Sequence, residues 1–595
     1  MSNFNQSSFS GGINLLLDDT RLPVSFKYKE GDTPYDITYN QYRMGINIRN
    51  RFDVIDPIQS SIVDTSAPLG IKQGILTFGN YIILFCDGSC FYKLNGTNGW
   101  YQVKTFTMDR TVPRYWTVVV PLNTTNYARA AVAVSATPSG GASTFVSSGA
   151  PIIQVNQTNY IASAFGNNPG LLVQDGKNQP VFLYIDSNGI IQCRTTQTYQ
   201  QWAFPLNTTT LQLTGPDNRE YVPIGTYMEW FNGILFIVDN EFSQIYRSVS
   251  GRPLDFVINV DINGNKGGDA TTTSFSVGVN GITALRAMSN NSLFVAAGGG
   301  ACFSITLNTT PNAPTIFGEY TFIRTPLFNS NCINERGIID VIGDTVFIDA
   351  NGLRSFNAVE QQQNEGRNSV FSSTIQRLFK NITQQDGFAS AVLFDNYAIF
   401  SVNTVIGYVL IVYDTINSCY SSIDIAQLNG HAAKQFASIN ITTLSLFAIT
   451  DDDKVVQLYA DPRNTDTCTI RLGAVCSSDP RKELKVETFR AVLSNITQNM
   501  IATAQLFTNN RQDDGPIIKK IKYISPVEVY AGVNIGTDIN TQVNNITFPF
   551  PNSQQGWKSF VVLTWTGGAS LTNVAVTTGD LTPLQPLRTQ AVLQQ

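Results

Sequence analysis

Short apolar runs separated by polar turns recur along most of this 595-residue chain. Residues 232–256, NGILFIVDNEFSQIYRSVSGRPLDF, give the outline: an apolar run from Ile234 to Val238, a polar turn, and a return segment that closes on a Gly, a Pro and an aromatic residue. Apolar and β-branched runs bounded by Asn, Asp and Gly predict strands joined by tight turns. The same outline recurs in residues 74–94, 181–193, 282–305, 337–356, 390–422 and 438–459.

A small sheet of this kind cannot bury both of its faces alone. Several such sheets bury their faces when they stack around a shared axis, so the repeat predicts an all-β chain folded as a β-propeller. About seven units are recognisable, and their uneven spacing leaves the blade number open by one or two. Strand patterning also leaves open a set of unrelated β-sandwich domains.

The departures from the repeat predict the domain boundaries. Residues 1–70 contain few strand pairs and are interpreted as a docking arm. Residues 71–104 would be the first propeller strands, residues 105–175 a small inserted β-domain rich in Ser, Thr, Ala and Gly, and residues 176–465 the remainder of the propeller. Residues 466–595 carry long alternating strands, which predict a C-terminal β-sandwich.

One helix is predicted in this β-rich chain, over residues 371–382. Its apolar residues fall on one stripe at helical spacing, which indicates packing against a neighbouring sheet. The stripe consists of Phe371, Ile375, Leu378, Phe379 and Ile382.

Composition excludes several classes of protein. Charged residues make up 14% of the chain, against about 25% in a typical soluble domain, and the formal net charge is −5. A nucleic-acid-binding protein would need a basic face to displace counterions, so this balance argues against affinity for nucleic acid. No apolar segment is long enough for a membrane-spanning helix, and the N-terminus lacks the pattern of a signal peptide.

The eight cysteines are too few for a disulfide framework in a chain of this length. Cys86 and Cys90 bracket the turn CDGSC and could face each other across a hairpin, but the sequence does not decide whether they pair. Buried, reduced thiols are the expectation, and no cofactor is predicted.

The residues that could support catalysis all fall in turns. His431 is the only histidine, which excludes a two-histidine metal site, and a surface or turn role is expected for it. Paired carboxylates could hydrolyse a glycoside without histidine, but Asp is common in turns because it hydrogen-bonds the backbone. We therefore predict no catalytic residue and no enzyme activity. The carboxylate candidates are Asp239 with Glu241, residues 451–453, and Asp513 with Asp514.

A weak calcium motif is present in DINGNKGGD. Asp261, Asn263 and Asn265 have the 1, 3, 5 spacing of a calcium-binding loop. Lys266 stands where that loop needs Gly, and Thr272 stands where it needs a bidentate Glu. A loop between blades is the preferred interpretation, and no metal site is predicted.

The segment 230–256 resembles the W-x-N-G-R-L-F…I-Y-x-S-x-P-G-x-P-x-x-F element of tail nozzle proteins from short-tailed bacteriophages. Two further segments are similar to that family: the start, SFSGGINLLLDDTRLP with YNQYRMGINIRNRFDVIDPI, and the later GLRSFNAVEQQQNEGRNSVFSSTIQRLF. The Asn-rich composition is similar to that of the muzzle proteins of crAss-like phages. The matching positions are Trp230, Asn232, Gly233, Tyr246, Ser248, Gly251, Pro253 and Phe256.

The resemblance implies a structural virion protein of the phage tail, assembled in the host cytoplasm. Six copies would form a ring below the portal and adaptor rings, contact the tail hub and fibres, continue the DNA channel and help to close it until infection. The N- and C-terminal segments would together make the platform that docks on the hub. A modestly acidic lumen would let DNA slide without specific binding. The gate is expected in residues 105–175 or 261–281.

Two other functions remain open at this stage. One is a glycan-binding adhesin or depolymerase attached to a phage tail, built on the same propeller scaffold. The other is a propeller scaffold inside a cell, without association with a virion.

Overall fold

The computed structural model describes every residue except the following: 1, 7–8, 16–40, 52, 95, 98, 122–128, 133–151, 156–168, 197–205, 208–211, 214–221, 240, 242, 249–252, 255, 257–273, 277–280, 289–290, 309–320, 330–331, 342, 357–370, 381, 383–384, 386, 442, 462–465, 477–481, 497, 509–514, 525–543, 552–554, 557, 580–581 and 584–595.

Seven small antiparallel sheets follow one another along the chain and form the blades of a β-propeller. Blade 1 consists of the strands Lys72–Phe78, Tyr81–Cys86, Ser89–Leu94 and Tyr101–Gln102. Blade 2 consists of the strands Trp116–Val120, Gly170–Gln174, Val181–Ile185 and Ile191–Thr195. Blade 3 consists of the strands Gly225–Phe231, Ile234–Asp239, Gln244–Arg247 and Ser274–Ser276. Blade 4 consists of the strands Ile282–Ala287, Leu293–Ala297, Ala301–Asn308 and Thr321–Asn329.

Blade 5 has three strands among the described residues, and blade 7 takes its fourth strand from the N-terminal segment. Blade 5 consists of the strands Ile338–Val341, Asp344–Asp349 and Gly352–Ser355. Blade 6 consists of the strands Ser390–Phe394, Tyr397–Thr404, Gly407–Asp414 and Cys419–Asp424. Blade 7 consists of Ala433–Asn440, Leu444–Thr450, Val455–Asp461 and Ser60–Val63.

The first strands of successive blades meet around a common axis. Tyr115 N, just before blade 2, donates to Gln73 O of blade 1 at 3.1 Å. Ile75 N of blade 1 donates to Gln435 Oε1 of blade 7 at 3.2 Å, so the last blade closes against the first. The N-terminal strand Ser60–Val63 completes blade 7 by pairing with Val455–Asp461, with Val63 opposite Val456. The predicted β-propeller is confirmed.

Adjacent blades bury their faces on each other. One apolar cluster runs through blades 1 to 4 and includes Leu172, Phe236 and Val295. Smaller clusters fill the spaces between blades 4 and 5, between blades 6 and 7, and between blades 7 and 1. This packing is the reason why short apolar strands recur in the sequence, since each sheet needs a neighbour on both faces.

The C-terminal strands form a two-sheet sandwich together with the N-terminal segment, which confirms the predicted sandwich. The second sheet continues into blade 6 through the parallel pairing of Ile46 with Ile423. The first sheet consists of Ser2–Gln6, Ile48–Arg51, Val54–Pro57, Val486–Ser494, Asn544–Pro549 and Ser570–Thr578. The second consists of Met44–Ile46, Thr467–Arg471, Val475–Cys476, Met500–Thr508, Ile518–Ile524 and Lys558–Thr566.

Four further short strand pairs complete the described sheets. Of these, only the pair between residues 12–13 and 41–42 is parallel. The pairs are Gly12–Ile13 with Gln41–Tyr42, Arg129–Val132 with Ile152–Val155, Leu206–Asn207 with Gln212–Leu213, and Lys482–Glu483 with Thr582–Pro583.

The strand pairing bears on two predicted segments. In the predicted inserted domain 105–175, strands Trp116–Val120 and Gly170–Gln174 pair with each other inside blade 2. Among the described residues of that segment, Arg129–Val132 and Ile152–Val155 form a separate two-stranded sheet. The described strands of the predicted arm 1–70 belong to the sandwich, to blade 7 and to the separate pair of Gly12–Ile13 with Gln41–Tyr42.

The predicted helix over 371–382 is a shorter 3₁₀ helix, Ser373–Leu378. Its hydrogen bonds span three residues, as in Ile375 N to Ser372 O at 3.0 Å and Phe379 N to Gln376 O at 3.0 Å. Ile375, Leu378 and Phe379 are buried in the main core, and Phe371 packs against it. Four of the five residues of the predicted stripe therefore face the core.

Two further 3₁₀ turns, Glu335–Gly337 and Ala426–Leu428, precede blades 5 and 7. Among the described residues, no helix has the length and apolar character needed to cross a membrane.

Candidate functional site

The turn of the nozzle-like motif is a two-residue hairpin in blade 3. Asn232 and Gly233 have φ values of 47° and 78°, both in the left-handed region. Consecutive left-handed residues make the type I′ turn, which Asn-Gly favours because its twist matches that of the strands. The turn sets Trp230 opposite Leu235. These three motif positions therefore fix the register of the hairpin.

Ser248 and Tyr246 extend the same blade. Ser248 N donates to Leu235 O at 2.9 Å, and Ser248 Oγ accepts from Leu235 N at 2.9 Å. Tyr246 is half-buried and lies between Ile237 and Ser274 on the neighbouring strands. The hydroxyl of Ser248 thus replaces a backbone acceptor where the strand ends.

The remaining motif residues enter the core or lie outside the described residues. Pro253 and Phe256 are buried, and Phe256 belongs to the cluster shared by blades 1 to 4. Gly251 is outside the described residues. Asp261, Asn263 and Asn265 are also outside them, so the outcome of the calcium motif stays a prediction.

The carboxylate candidate Asp239 caps a turn. Asp239 Oδ1 accepts from Ser243 N at 2.7 Å, and Oδ2 accepts from Ser243 Oγ at 3.0 Å. Glu241 is exposed beside it. Asp513 and Asp514 are outside the described residues. Asp239 therefore uses both carboxylate oxygens to hold the turn through Ser243, four residues further on.

His431 lies in a turn before blade 7, and its side chain is 41% exposed. Its Nδ1 is 2.8 Å from Asp451 Oδ1, and its Nε2 is 3.5 Å from Asp452 Oδ2. Among the described residues these three form a group that could hold a metal ion. Lys454 Nζ already occupies Asp452 Oδ2 at 2.6 Å. Burial raises the pKa of Asp452, but hydrogen bonds from Lys454 and Thr450 outweigh it and lower that pKa. The group is therefore satisfied as an ion-pair cluster.

Cys86 and Cys90 are buried free thiols. Cys86 lies opposite Ser89 in the hairpin, while Cys90 lies opposite Phe85, so the two side chains do not face each other. Burial raises the pKa of the Cys90 thiol well above its ordinary value. The seven cysteines whose side chains are described form no disulfide with one another, and six of them are buried.

The most unusual chemistry of the described residues lies at the propeller axis. The turn Glu335–Gly337 carries Arg336, which is half-buried. Arg336 Nη2 donates to Gln73 O and to Tyr115 O, each at 3.1 Å, and Nη1 donates to Lys434 O at 3.3 Å. These carbonyls lie where the first strands of blades 1, 2 and 7 begin. A single guanidinium therefore bridges three blades.

Asn334 extends the bridge to a fourth blade. Asn334 Oδ1 accepts from Arg336 N at 2.8 Å and so caps the turn. Its Nδ2 donates to Gly387 O at 3.3 Å and to Ala389 O at 3.1 Å, just before blade 6. Burial and the nearby Arg114 lower the pKa of Arg336 to about 9. The side chain consequently stays charged at neutral pH.

Two ion pairs surround this bridge. Arg114 pairs with Glu335 and stacks on the rings of Trp116 and Tyr227, with 5.1 Å and 5.2 Å from Cζ to the ring centroids. Glu229 of blade 3 lies 3.6 Å from Arg286 of blade 4.

Burial raises the pKa of Glu229 to about 7, although Arg286 opposes the shift. Glu229 is therefore the described axial carboxyl closest to proton exchange at neutral pH.

The axial network also leaves four buried polar atoms without a hydrogen-bond partner in the protein. Two are donors and two are acceptors, a balance that suits bound water. The atoms are Arg114 Nε, Trp116 Nε1, Gln73 Oε1 and Glu335 Oε2.

Sequence reasoning missed this axial group because Asn334-Glu335-Arg336 looks like an ordinary polar turn. Its only sequence signal is its position immediately before a predicted blade.

No family model and no curated protein matches this chain. The solved structures to which the chain is similar include the following three, each with a low TM-score. The extracellular domain of a putative hybrid two-component system from B. thetaiotaomicron is 11% identical with a TM-score of 0.37, over 92% of this chain and 63% of that one. The Dos1 propeller is 11% identical with a TM-score of 0.25, over 51% and 65%. Chaetomium thermophilum Sqt1, solved with the N-terminus of ribosomal protein L10, is 10% identical with a TM-score of 0.27, over 64% and 81%. The chain thus spans less than two thirds of the first two structures.

Proposed function

We propose that this chain is a structural virion protein that forms the distal nozzle of a short phage tail, as a ring of six copies around the DNA channel. The observation that carries the proposal is the joint sandwich of the two terminal segments. Strands Ser2–Gln6 and Val486–Ser494 both pair with Ser570–Thr578. The nozzle resemblance implies a docking platform made from both terminal segments, and this sandwich has that composition.

The connection between the two domains supports a role in a rigid wall. Met44–Ile46 joins the sandwich sheet to blade 6, and Ser60–Val63 completes blade 7. Arg49 reinforces the connection through two hydrogen bonds to Asp424 of blade 6, at 3.1 Å and 2.8 Å. A body tied at several points transmits force without a hinge, which suits a conduit that must hold its bore.

The nozzle-like motif supports the same proposal from the sequence. Its described residues build blade 3, as Asn232, Gly233 and Ser248 illustrate. A motif shared for its architecture suits a family whose members act as building blocks. The net charge of −5 is compatible with DNA that passes without binding.

The test is the composition and symmetry of purified particles. We expect mass spectrometry to detect the chain in virions, and electron microscopy to resolve six copies in a ring at the tail tip with the sandwich toward the hub. Absence from the particles, or a solitary copy on the tail, would contradict the proposal.

A parallel assay addresses the depolymerase alternative. Host capsule is incubated with the purified chain and with its Asp239→Asn and Asp451→Asn variants, and sugar release is measured. We expect no release from any of the three. Release by the parent chain that either variant abolishes would favour the depolymerase instead.

A further inference from the structure

A cleft of about 400 Å³ opens where the N-terminal segment meets blades 6 and 7. Its size falls within the range of small-molecule sites, roughly 300–1,000 Å³. The walls come from three separately folded elements, so the cleft exists only in the assembled chain. The residues that line the cleft include Arg51, Asp56, Phe394, Asp395, Tyr397 and Tyr459.

The charges around the cleft are already paired. Arg51 Nη2 donates to Asp395 Oδ2 at 2.9 Å, and Arg49 makes a bidentate pair with Asp424. Asp56 Oδ1 accepts from Ser570 Oγ at 2.5 Å. A strongly charged ligand of either sign would have to displace these partners, so the cleft suits an uncharged one.

The rings of the cleft are held in fixed positions. Phe394 and Tyr459 stack with centroids 6.2 Å apart. The Arg49 guanidinium lies 4.7 Å from the Tyr459 ring and 5.2 Å from the Tyr397 ring, and the Arg51 guanidinium lies 4.9 Å from the latter. The guanidinium groups cover part of the Tyr397 and Tyr459 rings, so the half-buried Phe394 supplies the main apolar face of the platform, and a ligand loses little entropy by ordering these rings.

Tyr397 places a hydroxyl in this platform. The residue is 5% exposed, and its buried Oη makes no hydrogen bond of good geometry within the protein; the Arg51 guanidinium interacts with it closely enough to lower its pKa in part. An unpaired buried hydroxyl is costly, which singles it out as a group that a ligand could satisfy. Burial raises its pKa above the ordinary value, so the hydroxyl keeps its proton and can donate it.

Backbone strain marks the same wall. Tyr459 has a φ of 53°, a conformation that bulky residues rarely adopt. It is held there by Tyr459 N donating to Gln427 Oε1 at 3.0 Å and Tyr459 Oη donating to Asp424 Oδ2 at 2.8 Å. Strain maintained by such contacts recurs at ligand-binding positions.

We propose that this cleft binds an uncharged pyranose sugar, whose apolar face packs on the aromatic platform while its hydroxyls bond Tyr397 Oη and the free oxygens of Asp395 and Asp56. A pyranose combines one C–H-rich face with a ring of hydroxyls, and this is the complement of a platform edged by carboxylates. The proposal concerns binding without turnover, and it does not depend on the tail role.

The experiment uses the full chain and ligand-observed NMR. The probes are methyl glycosides of glucose, galactose, mannose and N-acetylglucosamine, with glucuronate and glucosamine as charged counterparts. We expect saturation transfer to at least one uncharged glycoside and little to the charged sugars. Tyr397→Phe should weaken that binding about tenfold, because one buried hydrogen bond is lost. Phe394→Ala should weaken it further, because the platform loses a ring.

Tyr101→Phe is the matched control, since Tyr101 is 61% exposed in blade 1 and is not one of the residues that line the cleft. It should bind as the parent chain does. Thermal unfolding of each variant reports whether it folds, and Asp395→Asn replaces Tyr397→Phe if the latter does not. The proposal is overturned if no uncharged glycoside binds, if only charged sugars bind, or if the cleft variants bind as well as the control.

Discussion

The sandwich core and the propeller axis are both buried, but they are filled with different chemistry. The sandwich closes around apolar side chains such as Trp565, Phe489 and Leu563, each of them 0% exposed. The axis closes around Arg336 and the pair of Arg114 with Glu335. The two regions therefore meet different requirements with the same kind of strand.

The difference follows from what each region must satisfy. In the sandwich, backbone groups are paired within the sheets, so only apolar faces remain to be covered. At the axis, the beginnings of the first strands leave carbonyls such as Tyr115 O and Lys434 O that need donors. An apolar plug would leave them unpaired, whereas a guanidinium carries five donors. The propeller axis of this chain therefore needs a polar side chain to pair its carbonyl groups, whereas the sandwich core needs only apolar side chains.

The largest expected effect tests the apolar side of this comparison. Trp565→Ala removes a fully buried ring, whose Nε1 also donates to Ala569 O at 3.0 Å. We expect a loss of about 4 kcal/mol in the free energy of unfolding, because the cavity cannot collapse. Hydrogen exchange should rise in the sandwich strands and much less in blades 1 to 4. Equal exchange throughout would mean that the two regions unfold as one unit.

The next largest effect tests the polar side. Arg336→Met keeps much of the side-chain volume but removes the donors to three carbonyls. We expect a loss of about 3 kcal/mol, since Tyr115 O and Lys434 O lose this donor and Gln73 O keeps only its bond from Tyr115 N. Hydrogen exchange should now rise at the starts of blades 1, 2 and 7. The matched control is Arg377→Met, because Arg377 lies on a 3₁₀ helix with its side chain toward the surface. A stable Arg336→Met chain would show that water can replace the plug.

The smallest effect concerns pH. The pKa of Glu229 is about 7 in the folded chain against an ordinary 4.5, so the folded chain binds the proton more tightly than the unfolded one. This contribution to stability is present below about pH 4.5 and is lost as pH rises to about 7, by up to about 3 kcal/mol. Glu229→Gln should therefore gain stability relative to the parent chain as pH rises, measured as unfolding midpoints at pH 5 and pH 8.

Glu241→Gln is the control for the pH experiment, because Glu241 is exposed. Its midpoint relative to the parent chain should be nearly the same at both pH values. A Glu229→Gln chain that follows the control would mean that the axial carboxyl is ionised throughout this range, which would remove the distinction between the axis and an ordinary surface.

The sequence predicted what is local in this fold. Alternation and turn residues identified the blades, and the Asn232-Gly233 turn has the conformation that its residues favour. The pairing of Ser60–Val63 with Val455–Asp461 could not be predicted, because the residue pattern of a strand does not identify which distant strand it pairs with. Arg336 was missed for a similar reason, since a buried and a solvated arginine have the same local pattern. The cleft at Tyr397 depends on three distant segments and has no local pattern at all.

The strand Ser60–Val63 has a consequence for how the protein is made. It leaves the ribosome early, whereas its partner Val455–Asp461 is among the last propeller strands to be synthesised. Until then the ring stays open and the early strand edge has no native partner, a state that favours slow maturation and association with other nascent chains. Closure of the ring therefore has to wait for the synthesis of the strand Val455–Asp461.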